Sequence, residues 1–205
     1  MSELTAEPPN THNPEHTSGE TFTIRRKVLK IVGAGFHIYD ATGTLVGYCK
    51  QKAFRIKEDI RIYTDESLND ELMRISTQSV LDIAGLYMVS IPDAGPIGGY
   101  RRKAMKSMVR DTWEVVDPEG SHIATIQEDS GFKAIARRIN DGLSTLMPQK
   151  YLLTSLDNTH VATYQRRFNP FIHKLDVTIH NPTPDLDPLL LIAGGCLLSA
   201  IEGRQ

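Results

Sequence analysis

The stretch Pro188 to Ile201 (PLLLIAGGCLLSAI) contains no charged side chain and is apolar in every direction when drawn as a helix. Such a helix has to be enclosed by protein or by lipid. Length separates the two. Fourteen residues at about 1.5 Å each reach roughly 21 Å, well short of the ~30 Å hydrocarbon core of a bilayer. Asp187 suits an N-cap and Pro188 the first helical turn. Gly194 and Gly195 each lower helix propensity by roughly 1 kcal/mol relative to Ala, and they also permit close approach of packed strands. The expectation is a chain that wraps around its own terminal helix, with no transmembrane span.

What could do the wrapping is visible upstream. Phe36 to Tyr48 holds two short β-rich arms around Asp40-Ala-Thr-Gly43. Trp113 to Ile126 repeats the pattern around Asp117-Pro-Glu-Gly120, and Tyr151 to Tyr164 repeats it with Asp157-Asn158 at the turn. A looser copy runs from Ile60-Arg-Ile62-Tyr63 to Leu72-Met-Arg-Ile75. In such turns Asp bonds the backbone two residues on, Pro118 pre-sets its dihedral, and Gly takes the positive φ. The arms alternate apolar with polar, as antiparallel strands with one buried face do. Closely spaced hairpins with little helix between them predict a barrel or a sandwich. Two segments interrupt the rhythm. Ile91 to Gly99 (IPDAGPIGG) is a Pro and Gly cluster that reads as a turn or as a connector between halves. Asp129 to Leu146 fits either a short helix or a strand pair.

Composition adds bounds. The chain has 205 residues, enough for one substantial core, and 23 Lys and Arg stand against 25 Asp and Glu. This balance gives no reason to expect nucleic acid. The charges are uneven along the chain, however, with 12 basic against 8 acidic residues over 97–174. The first twenty residues are rich in Pro, Glu, Thr, Asn and His and poor in large apolar side chains, which predicts a disordered tail ahead of one domain over 21–205. That start has neither the basic nor the apolar stretch of a signal peptide, so a cytoplasmic location is expected. Cys49 and Cys196 are too few for a disulfide framework or a metal site.

The order of these motifs resembles the tubby C-terminal-like superfamily, which includes the phospholipid scramblases and the LURP-one-related proteins. The resemblance rests on the repeated hairpins and the Gly95-Pro-Ile-Gly98 connector. It continues through Trp113-Glu-Val115-Val116-Asp117 to the closing run from Leu175 to Gly203, and spans about residues 22–203. It implies a closed antiparallel barrel of about twelve strands around a buried hydrophobic C-terminal helix. Scramblases also carry a cysteine-rich stretch for palmitoylation and an acidic calcium-binding segment before that helix. This chain has no cysteine cluster, and Phe171 to His180 offers only Asp176 beside Lys174. Calcium takes six to eight oxygen ligands, so neither calcium nor scrambling carries over.

The remaining candidates are few. The basic run Arg101, Arg102, Lys103, Lys106 and Arg110 is suited to gripping an anionic lipid headgroup, as tubby domains do with phosphoinositides. Arg137, Arg138, Arg166 and Arg167 extend it if the fold gathers them. The plainer reading makes these residues the guard of a strand edge. Asp185 and Asp187 suit turn and capping roles. His37, His122, His160, His173 and His180 fall in strand patterns at no ligand spacing, and His12 and His16 lie in the tail. No nucleophile motif or phosphate-binding glycine loop is present, so no enzyme and no cofactor are expected. The sequence thus points to a non-enzymatic domain that docks on anionic phospholipid or on a partner protein. A scramblase-like membrane protein and a scaffold without a lipid role are the alternatives.

Overall fold

The computed structural model describes residues 19–27, 35–50, 60–77, 85–103, 112–129, 149–167, 169 and 171–201. Twelve strands and one helix make up this part. They are β1 (Thr21–Lys27), β2 (Phe36–Tyr39), β3 (Leu45–Cys49), β4 (Ile60–Tyr63), β5 (Glu71–Thr77) and β6 (Leu86–Ile91). Then come β7 (Gly95–Lys103), β8 (Thr112–Val116), β9 (His122–Glu128), β10 (Lys150–Ser155), β11 (His160–Arg167), β12 (Ile172–Ile179) and the helix α1 (Pro188–Ile201). Each strand pairs antiparallel with its neighbours in sequence, and β12 pairs with β1 to close the barrel. A closed barrel has no free edge, so the described cations guard none.

One end of the barrel is built from the Asp turns. The Asp40 carboxylate accepts the backbone N–H groups of Thr42 and Thr44 at 2.9 Å each, and Gly43 takes φ +86°. Asp117 accepts Ser121 N–H at 2.7 Å with Gly120 at φ +88°, and Asp157 accepts Thr159 N–H at 3.1 Å. The Thr42 hydroxyl bond, with backbone donors behind it, lowers the Asp40 pKa below the ordinary carboxylate value. Each of the five hairpins at this end shifts register once, near the end of its first strand. Bulges of this kind at a barrel rim add the local twist that closure needs.

Of the two readings of Ile91 to Gly99, the structure has the turn and not a connector between halves. It forms an ordinary hairpin, with Ile91 ending β6 and Gly95 opening β7. Gly98 is there for packing. A Cβ on it would stand 2.7 Å from the Val116 carbonyl oxygen and 2.8 Å from a Leu190 methyl group. The stretch Asp129 to Leu146 lies outside the described residues beyond Asp129 itself. So does the tail to residue 18, whereas Gly19 N–H donates to the Ile179 carbonyl and Ile179 N–H to that of Glu20.

The helix fills the barrel as the apolar run requires. Leu190, Leu191, Ala193 and Cys196 are buried among Ile24, Ile38, Ile62, Trp113, Leu153 and Val177 from the wall. Asp187 caps it, accepting Leu189 N–H at 2.7 Å. Tyr100 and Tyr164 point inward and donate their hydroxyls to the carbonyls of Leu190 (2.5 Å) and Leu191 (3.0 Å), so each ring is buried with its polar end satisfied. Gly194 sits beneath those hydroxyls, where a Cβ would meet Tyr100 Oη at 2.7 Å. No helix among the described residues is long and apolar enough to cross a membrane.

Candidate functional site

The sequence-derived cations fall into two sectors. Arg101, Arg102 and Lys103 end β7, and Arg166 and Arg167 end β11, four strands away around the wall. Lys106, Arg110, Arg137 and Arg138 lie outside the described residues. On β7 the charges are answered. Register sets Glu114 of β8 opposite Arg101, and its carboxylate lies 3.6 Å from Arg101 Nη1 and 2.6 Å from Lys103 Nζ. The Lys103 hydrogen bond holds the Glu114 pKa below the ordinary glutamate value. Arg102 faces the other way and lies over the Trp113 ring at 5.8 Å.

Barrel closure gives the β11 pair different neighbours. β12 lies between β11 and β1, so Arg166 and Arg167 stand beside His173 and Lys174, which stand beside Arg25 and Arg26. Lys174 is the register partner of both Arg25 and Arg167. Like charges directly opposite on a sheet are destabilising. Three cations thus form a row across three adjacent strands. Strand alternation directs this row outward, since Ile24, Tyr164 and Leu175 on the same strands face the core. The one carboxylate in it is Asp176, buried at 7% exposure, which takes the Arg167 Nε–H and the Thr23 hydroxyl (2.9 Å). Among the described residues no carboxylate pairs with Arg25 or Lys174. The Arg25 guanidinium lies over the Tyr39 ring at 4.4 Å.

The alternate positions of the same strands form a second row on the inner face: Arg26, His173 and Arg166. Arg26 and His173 are register partners, and Arg166 is diagonal to His173 through its own partner Leu175. Burial lowers the His173 pKa below the ordinary imidazole value, and the charges of Arg166 and then Arg26 lower it further. Arg166 donates to the neutral Gln149 Oε1 at 2.8 Å, and burial lowers its own pKa. Beside this sector Phe171 stands 65% exposed, its backbone fixed by the Asn169 side chain, which accepts the N–H groups of Phe171 and Ile172 at 2.9 and 3.0 Å.

Other chemistry-bearing residues are accounted for locally. The rings of His160 and His180 meet in a tilted pair, 4.6 Å between centroids, and share the Thr163 hydroxyl at 3.0 and 2.9 Å. His122 makes the matching contact to Thr125 at 2.9 Å, one His-x-Ala-Thr repeat earlier. His37 meets Glu66 at 2.7 Å. No group of three or more His, Cys, Asp or Glu among the described residues could hold a metal ion. Cys49 and Cys196 are free thiols in the core, and burial raises the Cys49 pKa to about 12. A groove of about 380 Å³ at β9 and β10 is lined by Gln127, Glu128, Asp129 and Thr154 among others, with no cation in its lining.

Sequence reasoning missed Arg25, Arg26, His173 and Lys174 as site residues. Their signal was the Arg25-Arg26-Lys27 run and the cation at 174, meaningless until closure set them side by side. Comparison of the chain with protein-family models, curated proteins and solved structures finds no match.

Proposed function

We propose that this chain is a non-enzymatic binding domain that docks reversibly on anionic phospholipid headgroups through the strand ends of β11, β12 and β1. The carrying observation is the outward row Arg25, Lys174 and Arg167, placed side by side with one carboxylate among them. A sheet that tolerates such repulsion presents a positive face to an anionic partner. Exposed Phe171 beside that face supports a lipid partner, because an aromatic ring flanked by cations suits the boundary between headgroups and acyl chains. The tubby and scramblase resemblance agrees with this reading, and the anionic leaflet facing the cytoplasm is the surface it would meet.

The scramblase-like alternative needs α1 to leave the barrel. Its enclosure by the strand walls and the two tyrosine hydroxyls supports peripheral docking instead. Co-sedimentation with phosphatidylserine vesicles tests the proposal. Binding should weaken as salt rises, since exposed charges are screened beyond about 8 Å at physiological ionic strength. Each surface cation contributes about 1 kcal/mol near an anionic leaflet, so Arg25→Glu with Lys174→Glu should weaken binding by more than about tenfold. A folded protein that ignores such vesicles at low salt would leave a partner protein as the better occupant.

A further inference from the structure

The outward row of Arg167, Lys174 and Arg25 does not stop at β1. Arg25 is the register partner of His37 on β2, His37 of Tyr48 on β3, and Tyr48 of Tyr63 on β4. Alternation turns these side chains outward, since Ile24, Phe36, Cys49 and Ile62 beside them face the core. The cationic half of the stripe thus passes into an aromatic half. His37 lies 4.9 Å from Tyr48 and 6.2 Å from Tyr39 between ring centroids. A carboxylate joins the rings from the β4–β5 hairpin. Glu66 Oε1 meets His37 Nε2 at 2.7 Å while the Glu66 side chain stays 65% exposed. Burial raises the Tyr48 pKa, and the nearby Glu66 charge raises it further. The loop that carries Glu66 is fixed, because Asp65 accepts Ser67 N–H at 2.7 Å and Thr64 N–H donates to the Asp70 carbonyl at 2.9 Å. Gly35 makes room for Tyr48, whose ring would stand 3.1 Å from a Cβ there.

We propose that Arg25, His37, Tyr48 and Glu66 form a binding site for a phosphocholine zwitterion, with its phosphate on Arg25 and its quaternary ammonium among the rings and Glu66. This deepens the docking face argued above and rests on that reading for its membrane setting. A quaternary ammonium has no N–H to donate, so aromatic faces and a nearby carboxylate are the groups that hold it. Tyr48 and Glu66 supply both. The Arg25 guanidinium can give a phosphate two N–H bonds, and it is oriented by the Tyr39 ring beneath it at 4.4 Å. Lys174 on the next strand adds positive charge on the phosphate side. The span fits as well. Neighbouring strands lie about 4.8 Å apart, so Arg25 and Tyr48, two strands apart, are separated by about 10 Å. That distance admits a phosphate and an ammonium joined by two carbons. A simple anion fits less well because Glu66 repels it, and a simple cation because Arg25 does. The zwitterion belongs either to a lipid headgroup or to a soluble ester. The competing account makes the His37–Glu66 contact a tether that only holds the hairpin to the wall.

The test uses the full chain with phosphocholine as the probe, read by the His37 ring signals in NMR and by the melting temperature. Millimolar phosphocholine should move those signals and raise the melting temperature. Inorganic phosphate or tetramethylammonium at the same concentration should do much less. Glu66→Gln, at an exposed position, should weaken phosphocholine binding by about tenfold, and Tyr48→Leu by about fivefold. Tyr48→Phe keeps the ring and should bind as the wild type does. A wild type that gives no response, or gives the same one with inorganic phosphate, would overturn the proposal. So would a Glu66→Gln protein that melts lower yet keeps the full response, the result expected of a tether alone. Vesicles separate the two sources. A headgroup ligand gives co-sedimentation with pure phosphatidylcholine vesicles that Glu66→Gln abolishes. A soluble ligand gives the phosphocholine response without it. Phosphatidylserine vesicles keep the two proposals apart, because Glu66→Gln removes a negative charge and should leave docking on them intact. A wild type that docks on phosphatidylserine yet ignores phosphocholine overturns this inference alone, and the reverse pattern overturns only the anionic-lipid reading.

Discussion

Two sectors of this barrel begin from nearly the same sequence and end in opposite electrostatic states. Arg101-Arg102-Lys103 closes β7, and Arg25-Arg26-Lys27 closes β1. In both runs the two arginines point to opposite faces of the sheet. The difference lies across the strand. Opposite Arg101 stands Glu114, and opposite Arg25 stands Lys174. Inside the wall the sectors are alike, Arg102 lying over the Trp113 ring at 5.8 Å and Arg26 over the Phe36 ring at 5.9 Å. A run of cations therefore says little about a binding face until the register is known. One facing residue decides whether the charge is spent within the sheet or offered outward.

The largest expected effect comes from the closing sector's single acid. Asp176→Ala removes the acceptor for Arg167 and Thr23 and leaves three cations unopposed. Arg167 is mostly exposed, so losing this ion pair together with the Thr23 hydrogen bond costs about 2 kcal/mol, which urea denaturation would measure. A loss under about 1 kcal/mol would mean that the row is relieved some other way. Glu114→Gln tests the other sector. It should cost about 1 kcal/mol and release Arg101 and Lys103, adding a second vesicle-binding face. Unchanged vesicle affinity would show that two freed cations alone do not make a docking face.

Lys174→Glu predicts a smaller change of opposite sign. Replacing repulsion by attraction to Arg25 and Arg167 should stabilise the fold by about 0.5 kcal/mol while docking is lost. Greater stability bought with lost binding is the expected mark of a face kept for function. A destabilised Lys174→Glu protein would argue against strain in the row.

The two sectors should also part company with pH. His173 has a folded pKa below its ordinary 6.5, so the unfolded chain binds the proton more readily and stability falls as pH drops from 6.5 through the lowered value. The Glu114 pKa is lowered too, and its contribution is present above 4.5 and lost as pH falls below that. Melting temperatures between pH 7 and 3 should then show His173→Gln diverging from the wild type first. Glu114→Gln should converge on the wild type only in the more acidic range. Reversed order would mean that the inner row does not crowd His173.

The fold was legible wherever a local rule sufficed. Asp40, Asp117 and Asp157 announced their turns because the side chain bonds its own backbone. Pro188 to Ile201 announced its burial because nothing in it can face water. The Gly98 and Gly99 pair misled, because glycine reads as punctuation and here it admits Val116, Leu190 and Met88 at close range. At the candidate site, Arg166 and Arg167 were legible as cations, but their neighbours were not. Contacts between β1 and β12 depend on closure of the whole wall, and no periodicity within either strand encodes it.

That closure also sets a clock. Thr21 and Thr178 touch through their hydroxyls although 157 positions separate them. A chain emerging from the ribosome at roughly 5–20 residues per second leaves β1 without its partner for about 8–30 s. The central helix follows β12 and must be enveloped last. Until then the apolar lining meant for it faces solvent, so the barrel is expected to close only once the helix itself has emerged, with the half-built wall a natural client for chaperones.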